Sequence, residues 1–99
     1  MFVKDFDKIG AFLKSELIGL EVEVTDYSNK DLIGLKGVVV DETKNMLHID
    51  VSGVEIKKIS KGHAIFVFSK GSEKYVINGN DLISRPWDRV KKKWQKKRW

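Results

Sequence analysis

The sequence contains no cysteine, one proline and two histidines among its 99 residues. Without cysteine there are no disulfides, no thiolate metal sites and no thiol nucleophile, and an intracellular, cytoplasmic setting is expected. A zinc site needs about four nitrogen, sulfur or carboxylate ligands. Two histidines, His48 and His63, fall short of that, so no metal site is expected. No G-x-S-x-G elbow is present for a serine nucleophile. No apolar run is long enough to span a bilayer and no signal-peptide pattern opens the chain, so no membrane partner is expected. There is no low-complexity linker and no internal repeat. A single domain over residues 1–99 is expected, of a size that buries a core without metals or disulfides.

What the sequence has in plenty is charge, unevenly placed. The net charge is +5, from 19 Lys+Arg against 14 Asp+Glu. Residues 85–99 hold eight basic side chains (Arg85, Arg89, Lys91, Lys92, Lys93, Lys96, Lys97 and Arg98) and one acid, Asp88. Residues 1–84 are left with 11 basic against 13 acidic groups, a net of −2. A local block of positive charge points to a polyanion. A solvated segment that keeps the protein soluble is the plainer alternative.

The hydrophobic pattern divides the chain into a helical region at 1–18, a β region at 19–84 and a basic helix or tail at 85–99. Phe2, Phe6, Ile9, Leu13 and Leu17 recur at three- and four-residue spacing, one face of a helix. Leu20, Val22 and Val24 alternate with polar residues, as do Leu47, Ile49 and Val51. Leu35–Val40 reads as a strand. Ser28–Asp31 reads as a polar loop and Asp41–Asn45 as a hairpin turn. Val54–Ile56 begins a strand whose alternation fails at Lys57-Lys58-Ile59, where a bulge or bend is expected. Ala64–Phe68 is apolar throughout, the mark of a strand covered on both faces. Tyr75–Ile77 and the short Leu82-Ile83 complete about six strands, the spacing of a small all-β barrel or sandwich. Pro86 suits the first turn of a helix, with Trp87, Val90 and Trp94 at helical spacing beyond it.

Three groups invite chemistry. Asp41 and Glu42 are the candidates for metal-assisted phosphodiester cleavage, yet their setting is that of a turn. Gly34-Leu35-Lys36-Gly37 matches the G-x-x-G that clamps nucleic acid in KH domains, but it runs into a strand and reads as packing glycines. Trp99, out of helical register among basic residues, is free to stack on a base. No catalytic residue is therefore assigned.

Taken together, Glu16–Leu20, Gly34–Asn45, Ile77-Asn78-Gly79 and Arg85–Arg89 resemble the archaeal ribonuclease P protein component 1 family, in order and over nearly the whole length. Met46 and Trp87 depart from its pattern. The resemblance implies a mainly β fold, a small six-stranded antiparallel Sm-like (SH3-like) barrel with N-terminal and C-terminal helices. It implies an RNA-binding subunit of ribonuclease P, which removes the 5′ leader of precursor tRNA. It implies that the catalytic magnesium ions belong to the RNA and that this chain binds no cofactor. Implied partners are ribonuclease P RNA, a small zinc-ribbon subunit and, indirectly, precursor tRNA. The free chain is expected to be a monomer.

Within that reading the eight basic residues of 85–99, with Lys36 and Lys44, are the expected RNA contacts. Lys30 and Lys61 are the further lysines if the surface lies on the barrel. Phe6, Ile9 and Leu13 are the expected protein-partner surface, because the first helix carries more apolar residues than a barrel cover needs. The competing readings are another small basic barrel, such as a ribosomal protein or Sm-like RNA chaperone, and an autonomous nuclease built on Asp41, Glu42 and Asp50.

Overall fold

Period-two alternation dominates the chain and is realised as strands in a computed structural model that describes residues 2–84. The strands are β1 (Glu21–Asp26), β2 (Lys36–Glu42), β3 (Met46–Val51), β4 (Glu55–Ser60), β5 (Ile65–Lys70) and β6 (Glu73–Asn78). They form one antiparallel sheet in the order β4-β3-β2-β1-β5-β6. Alternate residues point to one face, and the sheet curls into a barrel around it. Val22, Val24, Val39, Leu47, Ile49, Ile59, Phe66, Phe68, Tyr75 and Ile77 meet there in a single core. The curl has visible causes. The register shifts between Val24 and Asp26 and between Val39 and Asp41, the irregularities that bend strands. Gly37 faces inward opposite Val22. A Cβ at Gly37 would run into the Asp50 carbonyl and come within 2.6 Å of Ile49 Cγ2, so its absence lets β3 fold over β2.

Among the described residues, two helices close over the core. In α1 (Phe6–Leu13) the Asp5 carboxylate caps the start, accepting from the Asp7 N–H at 2.8 Å. The other helix, α2 (Gly79–Ser84), buries Leu82.

The structure amends several expectations. The helix expected over 1–18 is confined to Phe6–Leu13. Phe2 lies before it and bridges to Lys74 of β6, while Leu17 lies after it and is fully buried. Residues Lys30–Leu32 form a 3-10 turn capped by Asn29 instead of an open loop. Strand β2 runs on through Asp41 and Glu42, so the hairpin turn starts at Thr43. No bend interrupts Lys57-Lys58-Ile59, which pairs in regular register with β3. The alternation fails there because β4 ends the strand order and leaves Ile56 exposed. Ile65 and Val67 of β5 are only half-buried, so that strand is covered on one face. Leu82-Ile83 is helical: the Asn78 side chain accepts from the Asn80 N–H and turns the chain out of the sheet.

Candidate nucleic-acid interface

The least expected feature of the barrel is a fully buried lysine. Lys61 has no exposed surface, and its ammonium donates to Glu42 Oε2 at 2.7 Å, to the Thr43 carbonyl at 2.7 Å and to the Lys44 carbonyl at 3.1 Å. Three acceptors for three N–H bonds are what an ammonium needs when water is excluded. The Lys61 backbone N–H also donates to the Asn45 carbonyl at 2.8 Å. The β2–β3 turn is thereby tied to the β4–β5 connection. The other side of Lys61 is packed by α2: a Cβ at Gly79 would overlap the Lys61 backbone, and the Gly79 N–H donates to the Ala64 carbonyl at 2.8 Å. Glycine is required at this contact because the two backbones touch. Three connections thus converge on Lys61, leaving Lys44, Asn45, His63 and Asn80 exposed around it. Helix α2 is described as far as Ser84, and in the sequence the basic residues of 85–99 come next.

The expected RNA contacts fall in different places. Lys44 is exposed on the turn that Lys61 holds. Lys36 starts β2 at the strand's far end, directly opposite Glu23, on the outer face of the sheet. There it lines a shallow cavity of about 300 Å³ with Glu21, Glu23, Ser69 and Lys74. That face mixes both signs, and Asp50 continues it across β3. Lys30 is exposed on the 3-10 turn, whereas Lys61 is removed from the barrel alternatives because its charge is buried and paired. Arg85, Arg89, Lys91, Lys92, Lys93, Lys96, Lys97 and Arg98 lie outside the described residues, as do the helix expected after Pro86 and Trp99.

Of the expected protein-partner residues, Phe6 is 89% exposed, while Ile9 and Leu13 are partly buried against the core. Helix α1 is fixed by the Phe12 ring, stacked on Tyr75 with centroids 4.2 Å apart. It is tethered further by Lys8, whose ammonium meets Glu73 Oε2 at 3.0 Å. The hydrogen bond between them holds the Lys8 pKa above and the Glu73 pKa below their ordinary values. Burial raises the Tyr75 hydroxyl.

The carboxylates singled out for hydrolysis are otherwise engaged. Glu42 is buried against Lys61. Asp41 accepts from the Glu42 N–H at 2.8 Å and stands 3.9 Å from His48 Nδ1. Among the described residues no group of three His, Asp or Glu side chains is placed to hold a metal ion, and no helix is long and apolar enough to cross a membrane. The role of Lys61 escaped the sequence because its partner lies 19 residues away on another strand. The only local signal was a lysine inside the Ser60–His63 break.

Residues 10–92 match the family model for the ribonuclease P/MRP subunit p29. The chain is 46% identical over 81 residues to the ribonuclease P protein component 1 of Methanocaldococcus jannaschii, covering 82% of this chain and 85% of that protein. It is also 46% identical over 77 residues to that of Desulfurococcus amylolyticus, covering 77% and 84%. Among solved structures, Mth11, a homologue of the human RNase P protein Rpp29, superposes with a TM-score of 0.59 at 37% identity, over 75% of this chain and 96% of Mth11. Fold, order of motifs and identity along most of the length agree, and the chain belongs to the ribonuclease P/MRP p29 subunit family.

Proposed function

We propose that the chain binds ribonuclease P RNA electrostatically, through the basic segment 85–99 together with the exposed turn at Lys44, and contributes no catalytic group. As a family member it is a protein subunit of ribonuclease P and acts in complex with the RNA and the other subunits. The observation that carries the RNA-binding reading is the partition of charge: −2 over residues 1–84 against eight basic and one acidic residue in 85–99. Without that segment a polyanion is repelled at long range; with it, phosphates are held and the barrel is oriented on the RNA. The mixed charge of the outer sheet face, where Lys36 stands across from Glu23, makes Lys36 the weaker contact.

The proposal extends to the further roles that the family resemblance implies. The magnesium ions that cleave precursor tRNA belong to the RNA, the tRNA is reached indirectly, and the enzyme acts in the cytoplasm. A small zinc-ribbon subunit is the protein partner, and the exposed Phe6 is the residue of α1 best placed to meet it. The free chain is a monomer.

Reconstituted cleavage of precursor tRNA tests this reading. The protein alone should not cleave. With the RNA and the other subunits, the full chain should lower the magnesium requirement, and a chain ending at Ser84 should not, although it keeps the described core residues. Equal support from the shortened chain would overturn the assignment of the basic segment. Cleavage by the protein alone would overturn the non-catalytic role.

A further inference from the structure

Most hairpin turns point their carbonyls where the strands allow; here they are collected by one cation. The carbonyls of Thr43 and Lys44 are both drawn inward to the Lys61 ammonium, and that of Asn45 to the Lys61 N–H. The chain has no cis peptide bond among the described residues. In a trans peptide the N–H points opposite to the C=O. Inward carbonyls at Thr43 and Lys44 therefore turn the N–H groups of Lys44 and Asn45 outward. Neither N–H has an acceptor among the described residues, and both residues are exposed. The neighbouring donors are already used: the Thr43 N–H goes to the Met46 carbonyl at 2.9 Å and the Met46 N–H to Thr43 Oγ1 at 3.1 Å. The turn is thus rigid, with two successive amides and the Lys44 side chain on its outer surface. Successive backbone N–H groups in a turn form an anion site.

We propose that this turn is a preorganised seat for a single phosphodiester of RNA, with the N–H groups of Lys44 and Asn45 and the Lys44 ammonium as its donors. Lys61 is a positioning residue: it never touches the phosphate but fixes the direction of both amides, and Glu42 holds Lys61. The segment 85–99 supplies bulk attraction, and the turn supplies a fixed point of register. This site rests on the RNA-binding reading above and adds to it a defined ligand group and a defined geometry.

The test uses the full chain. In the wild type, the Lys44 and Asn45 amide protons should move downfield when a short single-stranded oligoribonucleotide is added, and should not move with the uncharged methylphosphonate analogue. Lys44→Ala should weaken binding to ribonuclease P RNA roughly three- to tenfold. It should also flatten the salt dependence by about 0.7 to 0.9 in slope, the share of one phosphate. Replacing Lys61→Met and Glu42→Leu together removes the grip without stranding a buried charge. It should scatter the two amide directions and abolish their response to RNA, although Lys44 is kept; an unchanged response would refute the positioning role. Should that double variant not fold, Lys44→Ala and the wild-type amide shifts decide. Unmoved amides with a native slope in Lys44→Ala refute the turn site. The RNA-binding reading then survives only if glutamine at the eight basic positions of 85–99 abolishes binding; if that variant also binds like the wild type, both fall.

Discussion

Beside the β5–β6 turn the core is closed by rings. Phe12 of α1 stacks on Tyr75 and tilts against Phe68, with centroids 5.4 Å apart. At the other end of the same hairpin, where Ala64 meets Gly79, closure depends on charge: Lys61 is buried on Glu42 and three turn carbonyls. The apolar closure is non-directional, so it tolerates adjustment, and Phe6 stays exposed outside it. The ionic closure is directional and costs desolvation. What it provides is geometry: a held β2–β3 turn and a close seat for α2 at Gly79.

Substitutions that remove one member of each closure should have the largest effects and should differ in kind. Lys61→Met leaves Glu42 buried without its cation and should destabilise the fold by about 3–5 kcal/mol. Adding Glu42→Leu should recover much of that loss, because two apolar groups need no partner. Phe12→Ala should cost a similar amount, about 3–5 kcal/mol, through the cavity it leaves, and Glu42→Leu should not rescue it. Denaturant melts of the four chains check this. Equal rescue of both would erase the distinction between the ends. Next in size is Gly79→Ala, which forces α2 off the Lys61 backbone; overpacking of this kind costs about 1–3 kcal/mol. Its thermal unfolding should shift while the α1 end keeps its Phe12–Tyr75 contact.

Phe6→Glu should change the stability of the free chain by no more than about 0.5 kcal/mol, as expected at an exposed site. It should weaken association with the partner subunit, measured by calorimetry. Global destabilisation would make Phe6 core. The smallest effect belongs to the Lys8–Glu73 pair, which is solvent-exposed and screened. The lowered Glu73 pKa contributes stability above its unfolded value, lost as pH falls through the folded value. The raised Lys8 pKa contributes stability below its unfolded value, lost as pH rises through the folded one. Glu73→Gln should remove both pH dependences slightly, without moving the neutral melting temperature by more than the pair's small share.

Much of the sheet was legible in the sequence because strand burial has a period of two. Val22 and Val24, Leu47 and Ile49, and Tyr75 and Ile77 alternate and are buried as alternation requires. The misreadings share a cause, which is information held elsewhere in the chain. Leu82-Ile83 looks like a strand when only its two apolar residues are read; its helix depends on the Asn78 cap and on the backbone contact at Gly79. Lys57-Lys58 suggested a bend because an edge strand need not bury its full face. Of the interface, the charge block was plain from counting. The inward lysine was not, because a lysine in a turn is ordinarily solvated and only the fold brings Glu42 to it.

Salt titration of ribonuclease P RNA binding tests most directly whether the basic segment carries the RNA affinity while the barrel orients it. If about five phosphates are engaged, log affinity for the full chain should fall with log salt at a slope near −3.5 to −4.5. A chain ending at Ser84 should keep its barrel spectrum and lose most of both affinity and slope. The same affinity and slope in the shortened chain would contradict the account and move the RNA-binding surface onto the barrel, to Lys30, Lys36 and Lys44.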